Sequence, residues 1–251
     1  MVWLSVWVVG LLIRLVGLFR GLQAEILGRY RFFYVYLFST LVADLITFTL
    51  WRVNQASYQS SYWILQFITL LIGCGIVLEI FRHVLSPYRG AEKFATAVGL
   101  STFGAIFCFA IAYRLVVSSP DQAFFELERN VRTVQALFLS GILGVVSYYR
   151  IPIGKNLKGM ISGYGLYIVT SLFTLAVRAY AGPQFNSSWS VIQPLSFDVS
   201  LGIWLIALWS SHPNPAPDPA IPLESDYEAL AAKTRRALVS MRSHLGRAAR
   251  P

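Results

Sequence analysis

Long apolar runs alternate with short polar segments over the first 210 residues of the chain. An α-helix needs about 20 mainly apolar residues to cross the hydrocarbon core of a bilayer. Seven runs approach this length, and each predicts a membrane-spanning helix. They lie at approximately 3–20, 31–52, 62–83, 94–117, 131–150, 159–181 and 190–210. The pattern therefore predicts an all-α, polytopic membrane protein built as a seven-transmembrane-helix bundle.

The charge of the short connections predicts the orientation of this bundle. Connections after the first, third and fifth helices are rich in Arg and Lys, whereas the alternate connections are polar or acidic. Because basic connections stay in the cytoplasm, we predict an outside N-terminus and a cytoplasmic C-terminus. Arg14 lies near the inner end of the first helix and is expected to reach the headgroups beside Arg20.

The chain changes character after the last apolar run, which closes the predicted membrane domain at 1–211. Residues 212–222 read HPNPAPDPAIP, and their prolines predict an extended linker. The segment 223–251 has an apolar face with three- and four-residue spacing, formed by Tyr227, Leu230, Thr234, Leu238, Met241 and Leu245. Its basic residues lie largely off that face, which predicts an amphipathic helix on anionic headgroups. Docking to a protein partner is the alternative.

Composition narrows the class of protein and its location. The chain is 56% hydrophobic and 13% charged, about half the charge of a soluble domain. The net charge of +9 lies in the connections and the tail, which favours membrane orientation over nucleic-acid binding. Seventeen of the 21 basic residues are arginine, as is typical of GC-rich bacterial genomes. These features predict a multi-pass protein of the bacterial inner membrane, with the lipid bilayer as its main partner.

Two carboxylates lie inside predicted spans at similar depth. Asp44 is eight residues before Arg52, and Asp198 is nine residues after Trp189. At 1.5 Å per residue, both lie roughly 12–14 Å below the predicted outer boundary. Charges at this depth usually face the interior of a bundle. Asp44 and Asp198 are therefore the leading candidates for a ligand site.

A shallower layer of polar residues is predicted above these carboxylates. It consists of three arginines and three glutamines near the outer ends of five helices, Arg114, Arg132, Arg178, Gln66, Gln135 and Gln193. If they converge with the two aspartates, they form a vestibule that binds a small polar or anionic ligand by charge-assisted hydrogen bonds. Two alternatives stay open: structural pairing of each aspartate with a neighbouring helix, and a proton or ion path.

A second group of polar residues ends the third helix on its predicted cytoplasmic side. Glu79 is three residues before Arg82 and four before His83, spacings that bring side chains together on one helix face. This group predicts either a capped, solvated helix end or a docking site for a partner protein.

No residue pattern predicts catalysis. His83, His212 and His244 are far apart, and no nucleophile, base and orienting group occur together. We therefore expect no enzymatic activity, no metal and no cofactor. The predicted function is that of a receptor-like or accessory membrane protein, which binds a ligand or partner through the vestibule and docks through its tail. A small transporter or channel, and a purely structural membrane subunit, are the alternatives.

Overall fold

The computed structural model describes residues 2–24, 26–53, 55–116, 120–212, 214–216, 218 and 221–248. These residues form eight α-helices and one 3₁₀ turn, Gly182–Phe185, and none of them forms a β-strand. The helices are α1 (Val2–Gln23), α2 (Arg31–Val53), α3 (Gln55–Leu85), α4 (Arg89–Val116), α5 (Pro120–Tyr149), α6 (Lys155–Ala181), α7 (Asn186–Ala207) and α8 (Leu223–Ala248).

Six helices, α1 to α6, are long and apolar enough to cross a membrane. The seventh, α7, contributes a shorter apolar stretch, Val191–Ala207. The prediction of an all-α, multi-pass membrane protein is confirmed in this coarser form.

Two helices begin well before their apolar runs, by more than the four or five residues seen in α4, α6 and α7. α3 begins at Gln55 and α5 at Pro120, about two and three turns before the predicted spans. The polar segments 55–61 and 120–130, expected to be connections, are therefore helical. Pro120 suits the first helical position because its missing N–H would have no helical partner there. The extra turns of α5 carry charged residues that the predicted site did not include.

Helices α1 to α7 pack in a closed ring. Each helix contacts the next one along the chain, α7 returns to α1, and α3 also contacts α5 and α6. Contact between α6 and α7 is close because small residues lie between them. Gly159 faces Ala207, and Gly163 faces the indole of Trp204, so that a Cβ at either glycine would collide.

The two ends of the ring differ in charge. Arg31, Arg89 and Lys155 begin α2, α4 and α6 at one end, here called the basic end. Arg52 and Arg178 lie near the other ends of α2 and α6, at what is here called the polar end.

An aromatic core fills the bundle toward the basic end. Phe33 and Tyr36 of α2 make ring contacts with Trp204 of α7 at 5.0 and 6.4 Å, and Tyr164 of α6 stacks on the same indole. The Trp204 Nε1 donates to the Met160 carbonyl at 3.3 Å, which satisfies its one polar group. All five residues are buried, and this side of the bundle is closely packed and mainly apolar.

Helix α8 attaches to the bundle through its first turns. The Glu224 carboxylate accepts a hydrogen bond from the Gly90 N–H at 2.7 Å, at the start of α4. The Tyr149 hydroxyl, at the end of α5, donates to Asp226 at 3.0 Å. Residues 228–237 are all exposed. Within the predicted apolar face, Tyr227 packs on Phe94, whereas Leu230 and Thr234 are exposed. The side chains of its other three residues lie outside the described part, namely Leu238, Met241 and Leu245.

Candidate functional site

Asp44 and Asp198 come together around a third charged side chain, Arg14 of α1. Arg14 forms an ion pair with the Asp44 carboxylate through Nη1, and the arginine side chain is only 8% exposed. Asp198 lies within electrostatic range of both groups. Its carboxylate packs so closely on Gly10 of α1 that a Cβ there would collide. Arg14, Asp44 and Asp198 are named the carboxylate cluster.

The expectation that Arg14 extends to the headgroups is wrong. The ion pair with Asp44 and the contact with Phe197, whose ring centroid lies 5.0 Å from the guanidinium carbon, hold Arg14 inside the bundle. In a medium of low dielectric constant, the ion pair with Asp44 stabilises the Arg14 guanidinium more than extension to the hydrated headgroups would. The two aspartates, 154 residues apart in sequence, therefore share Arg14 as a neighbour, a residue that the predicted site did not include.

The carboxylate cluster is not balanced in charge. One guanidinium faces two carboxylates, and Asp198 is the only charged residue of α7. The Nε of Arg14 is buried and has no hydrogen-bond partner among the described residues. This cluster therefore holds both an excess negative charge and an unused donor. Such an arrangement is costly, because burying charges is unfavourable unless each is paired.

A second group of charged residues surrounds Arg132 of α5, a residue that is only 3% exposed. Its Nη1 donates to the Gln135 amide oxygen at 3.2 Å, and its Nη2 donates to the Tyr167 hydroxyl at 3.0 Å. A Glu128 oxygen lies 3.8 Å from the Arg132 Nε. Arg178 of α6 also acts electrostatically on Glu128. Glu128, Arg132, Tyr167 and Arg178 are named the arginine cluster.

The arginine cluster contains two guanidinium groups and one carboxylate. Arg132 is buried, while Arg178 and Glu128 are only partly buried and lie nearer the polar end. The Nε of Arg132 has no hydrogen-bond partner among the described residues. A fork-shaped guanidinium group with an unused N–H donor, such as that of Arg132, is well suited to bind a carboxylate or phosphate group.

Aromatic rings connect the two clusters. The Phe197 ring contacts Arg14 on one side and the Tyr167 ring, at 5.1 Å, on another. The Arg132 guanidinium carbon lies 4.6 Å from the Tyr167 ring centroid. Of the predicted vestibule residues, Asp44 and Asp198 therefore belong to one cluster, and Arg132 and Arg178 belong to a neighbouring one.

The predicted glutamines and the remaining arginine have different surroundings. Gln135 donates to the Cys74 sulfur at 3.6 Å and joins α5 to α3. Gln193 is held by the hydroxyls of Ser171 and Thr174, at 2.7 and 3.0 Å, which joins α7 to α6. Gln66 is partly buried in α3, and the side chain of Arg114 lies outside the described part.

The residues predicted for cytoplasmic docking lie at the basic end. The Glu79 carboxylate accepts hydrogen bonds from the N–H groups of Phe32 and Phe33 at 3.1 and 3.0 Å, which caps α2. The His83 Nε2 lies 2.8 Å from the Arg29 carbonyl. Arg82 is exposed. Glu79 and His83 thus join α3 to the start of α2, and Arg82 faces outward.

Three residues of the two clusters were missed by reasoning from sequence. Arg14 was expected at the headgroups, and Glu128 lay in a segment expected to be a connection. Tyr167 gave no signal, since a tyrosine in an apolar run resembles any other aromatic core residue. The four-residue spacing of Glu128 and Arg132, together with Pro120 as a helix start, was a usable signal for Glu128.

The chain matches no family model, no curated protein and no solved structure in the comparisons made. Among the described residues, no three His, Cys, Asp or Glu side chains are grouped so that they could hold a metal ion. Functional inference rests on the two clusters and on the placement of the helices around them.

Proposed function

We propose that this protein is a receptor-like or accessory protein of the bacterial inner membrane that binds a small anionic ligand at the arginine cluster. The observation that carries the proposal is the buried Arg132 guanidinium, in the half of the bundle nearer the polar end, whose Nε has no hydrogen-bond partner among the described residues. The cluster lies between α5 and α6, with its more exposed members toward the end predicted to face outside.

We further propose that seven helices cross the membrane, with the N-terminus outside and the C-terminus in the cytoplasm. Asn186–Ala207 has 22 residues and a length of about 33 Å, enough for a hydrocarbon core of about 30 Å. Its packing between α6 and α1 closes the ring. The basic residues of the connections and tail give the orientation.

The packing toward the basic end favours binding over conduction. Fully buried side chains fill the region below the clusters, including Phe33, Ile76, Ile80, Leu157, Met160 and Trp204. A transporter or channel needs a polar route through this region. The alternative of a small transporter or channel is therefore supported less well than a binding role.

Helix α5 connects the proposed ligand site with the tail. Arg132 lies in its first half, and Tyr149 at its last residue donates to Asp226 of α8. A ligand that moves α5 would therefore move the attachment of α8. Leu230 and Val239 of α8 are each 64% exposed beside basic residues, which suits contact with anionic lipid or with a partner protein.

Titration of the full-length protein in mild detergent with inorganic phosphate, succinate and citrate tests the proposed ligand class. We expect one of these anions to raise the melting temperature, by an amount that increases with the logarithm of the anion concentration above its Kd. The variants Arg132→Gln and Arg178→Gln should weaken that binding by about 10- to 100-fold, as expected for a lost charge-assisted hydrogen bond.

Arg52→Gln is the matched control, because Arg52 is an exposed arginine at the same end of the bundle. It should leave anion binding unchanged. Stabilisation by none of the anions, or an equal loss of binding in the Arg52 variant, would refute the proposal of an anion site at the arginine cluster.

A further inference from the structure

We propose that the carboxylate cluster is a proton-binding site inside the bundle, in which Asp198 takes up and releases the proton. This site differs from the anion site, and the inference does not depend on it. Uptake forms one O–H bond on an Asp198 carboxyl oxygen with a proton delivered by water. No other bond changes, and no further reactant is required.

Charge balance is the first argument. Arg14 forms its ion pair with Asp44, which leaves the Asp198 carboxylate as the uncompensated charge. An unpaired carboxylate at this depth in a membrane is costly, whereas the neutral acid is much less so. A single proton on Asp198 makes the whole cluster neutral.

Among the described residues, the surroundings of Asp198 offer no other compensating charge. The helices packed against α7 are α1 and α6, and α2 contacts it through the rings of Phe33 and Tyr36. α1 contributes Arg14, and Asp44 reaches the cluster from α2. α6 has no charged residue between Lys158 and Arg178, and its titratable groups in that interval are Tyr164 and Tyr167.

Geometry favours a proton over a larger cation. The Asp198 carboxylate packs directly on Gly10, and the Arg14 guanidinium would repel a metal ion at this place. The unpartnered Nε–H of Arg14 instead offers a donor to a carboxyl oxygen or to a water molecule. A protonated Asp198 can accept that hydrogen bond and needs no added space.

Proton release would change which helices Arg14 holds together. With Asp198 neutral, Arg14 pairs with Asp44 alone and joins α1 to α2. With Asp198 charged, its carboxylate competes with Asp44 for the same guanidinium and draws α1 toward α7. The proton thus selects between two arrangements of α1, in the way that other buried titratable groups act as switches.

Infrared difference spectroscopy of the full-length protein in liposomes tests this proposal. Acidification from about pH 8 to about pH 5, a range that brackets many perturbed carboxyl groups, should produce the C=O band of a protonated carboxylic acid. The band should be absent in Asp198→Asn. In Asp44→Asn, Arg14 is free to pair with Asp198, so the band should require at least a tenfold higher proton concentration.

Glu126→Gln is the control, since Glu126 is a partly exposed carboxylate paired with Arg129 outside both clusters. It should leave the band unchanged. A parallel titration of the unsubstituted protein with ¹³C-labelled aspartate, read by solid-state NMR, detects the same proton without any mutation. An unaltered band in Asp198→Asn, or no aspartate signal that titrates in the labelled protein, would overturn the proposal.

Discussion

The buried Arg14 is the charged neighbour that both partly buried aspartates share. Its guanidinium carries the only positive charge of the carboxylate cluster, and its contacts reach Asp44, Asp198 and the Phe197 ring. Breaking a buried ion pair by removing one partner leaves an uncompensated charge, which typically costs about 3–5 kcal/mol. Here removal of the arginine leaves two such charges side by side.

Arg14→Gln should therefore lower the free energy of unfolding by about 3–5 kcal/mol, measured by denaturation in mixed micelles. The double variant Arg14→Gln with Asp44→Asn should recover part of that loss, because it removes one of the stranded carboxylates. Arg20→Gln serves as a control, as Arg20 is less buried and bonds the Trp209 carbonyl at the basic end. Equal stability of all these proteins would show that Arg14 is not a buried ion-pair partner.

Contact between α6 and α7 positions both clusters, because α6 carries Tyr167 and α7 carries Asp198 and Phe197. Gly163 permits this contact, since the Trp204 indole occupies the space where its Cβ would lie. Gly165, two residues further along α6 and on the opposite side of the helix, has open space around its missing Cβ. The pair offers a direct comparison of the same substitution in two environments.

Gly163→Ala should destabilise the protein by about 1–3 kcal/mol, as overpacking of a closely fitted contact does. Gly165→Ala should be neutral or stabilise by up to about 1 kcal/mol, the gain in helix propensity from glycine to alanine. The melting temperatures of the two variants in detergent check this prediction. A loss in Gly165→Ala as large as in Gly163→Ala would contradict the packing described here.

Periodicity and length revealed the apolar helices because burial in lipid requires long apolar runs. They did not reveal the first turns of α3 and α5, because those turns are polar and carry no long apolar run. In α5 the helix instead begins at Pro120, a residue that suits the first helical position. The meeting of Asp44 with Asp198 was a hypothesis from their matched depth, and the structure brings them together. The identity of their shared partner depends on the rotation of α1 about its axis, which a uniformly apolar helix does not encode.

At the scale of the whole molecule, the two ends of the bundle differ in their packing. The arginine cluster lies toward the polar end, the carboxylate cluster lies near the middle of α1 and α7, and the aromatic core lies toward the basic end. α8 is attached at the basic end by Glu224 and Asp226. This arrangement has the form of a receptor only if the two ends lie on opposite sides of a membrane.

Whether α7 crosses the bilayer is therefore the central question. Ser188 and Ala232 are both exposed; Ser188 lies in the first turn of α7, and Ala232 lies in α8, beyond the other end of α7. Cysteines are placed at these two positions. They are introduced singly, with Cys74 and Cys108 replaced by alanine, and treated with a membrane-impermeant maleimide in intact cells and in lysed cells. We predict that the cysteine at position 188 is labelled in intact cells and the one at position 232 only after lysis. Labelling of position 232 in intact cells would contradict it.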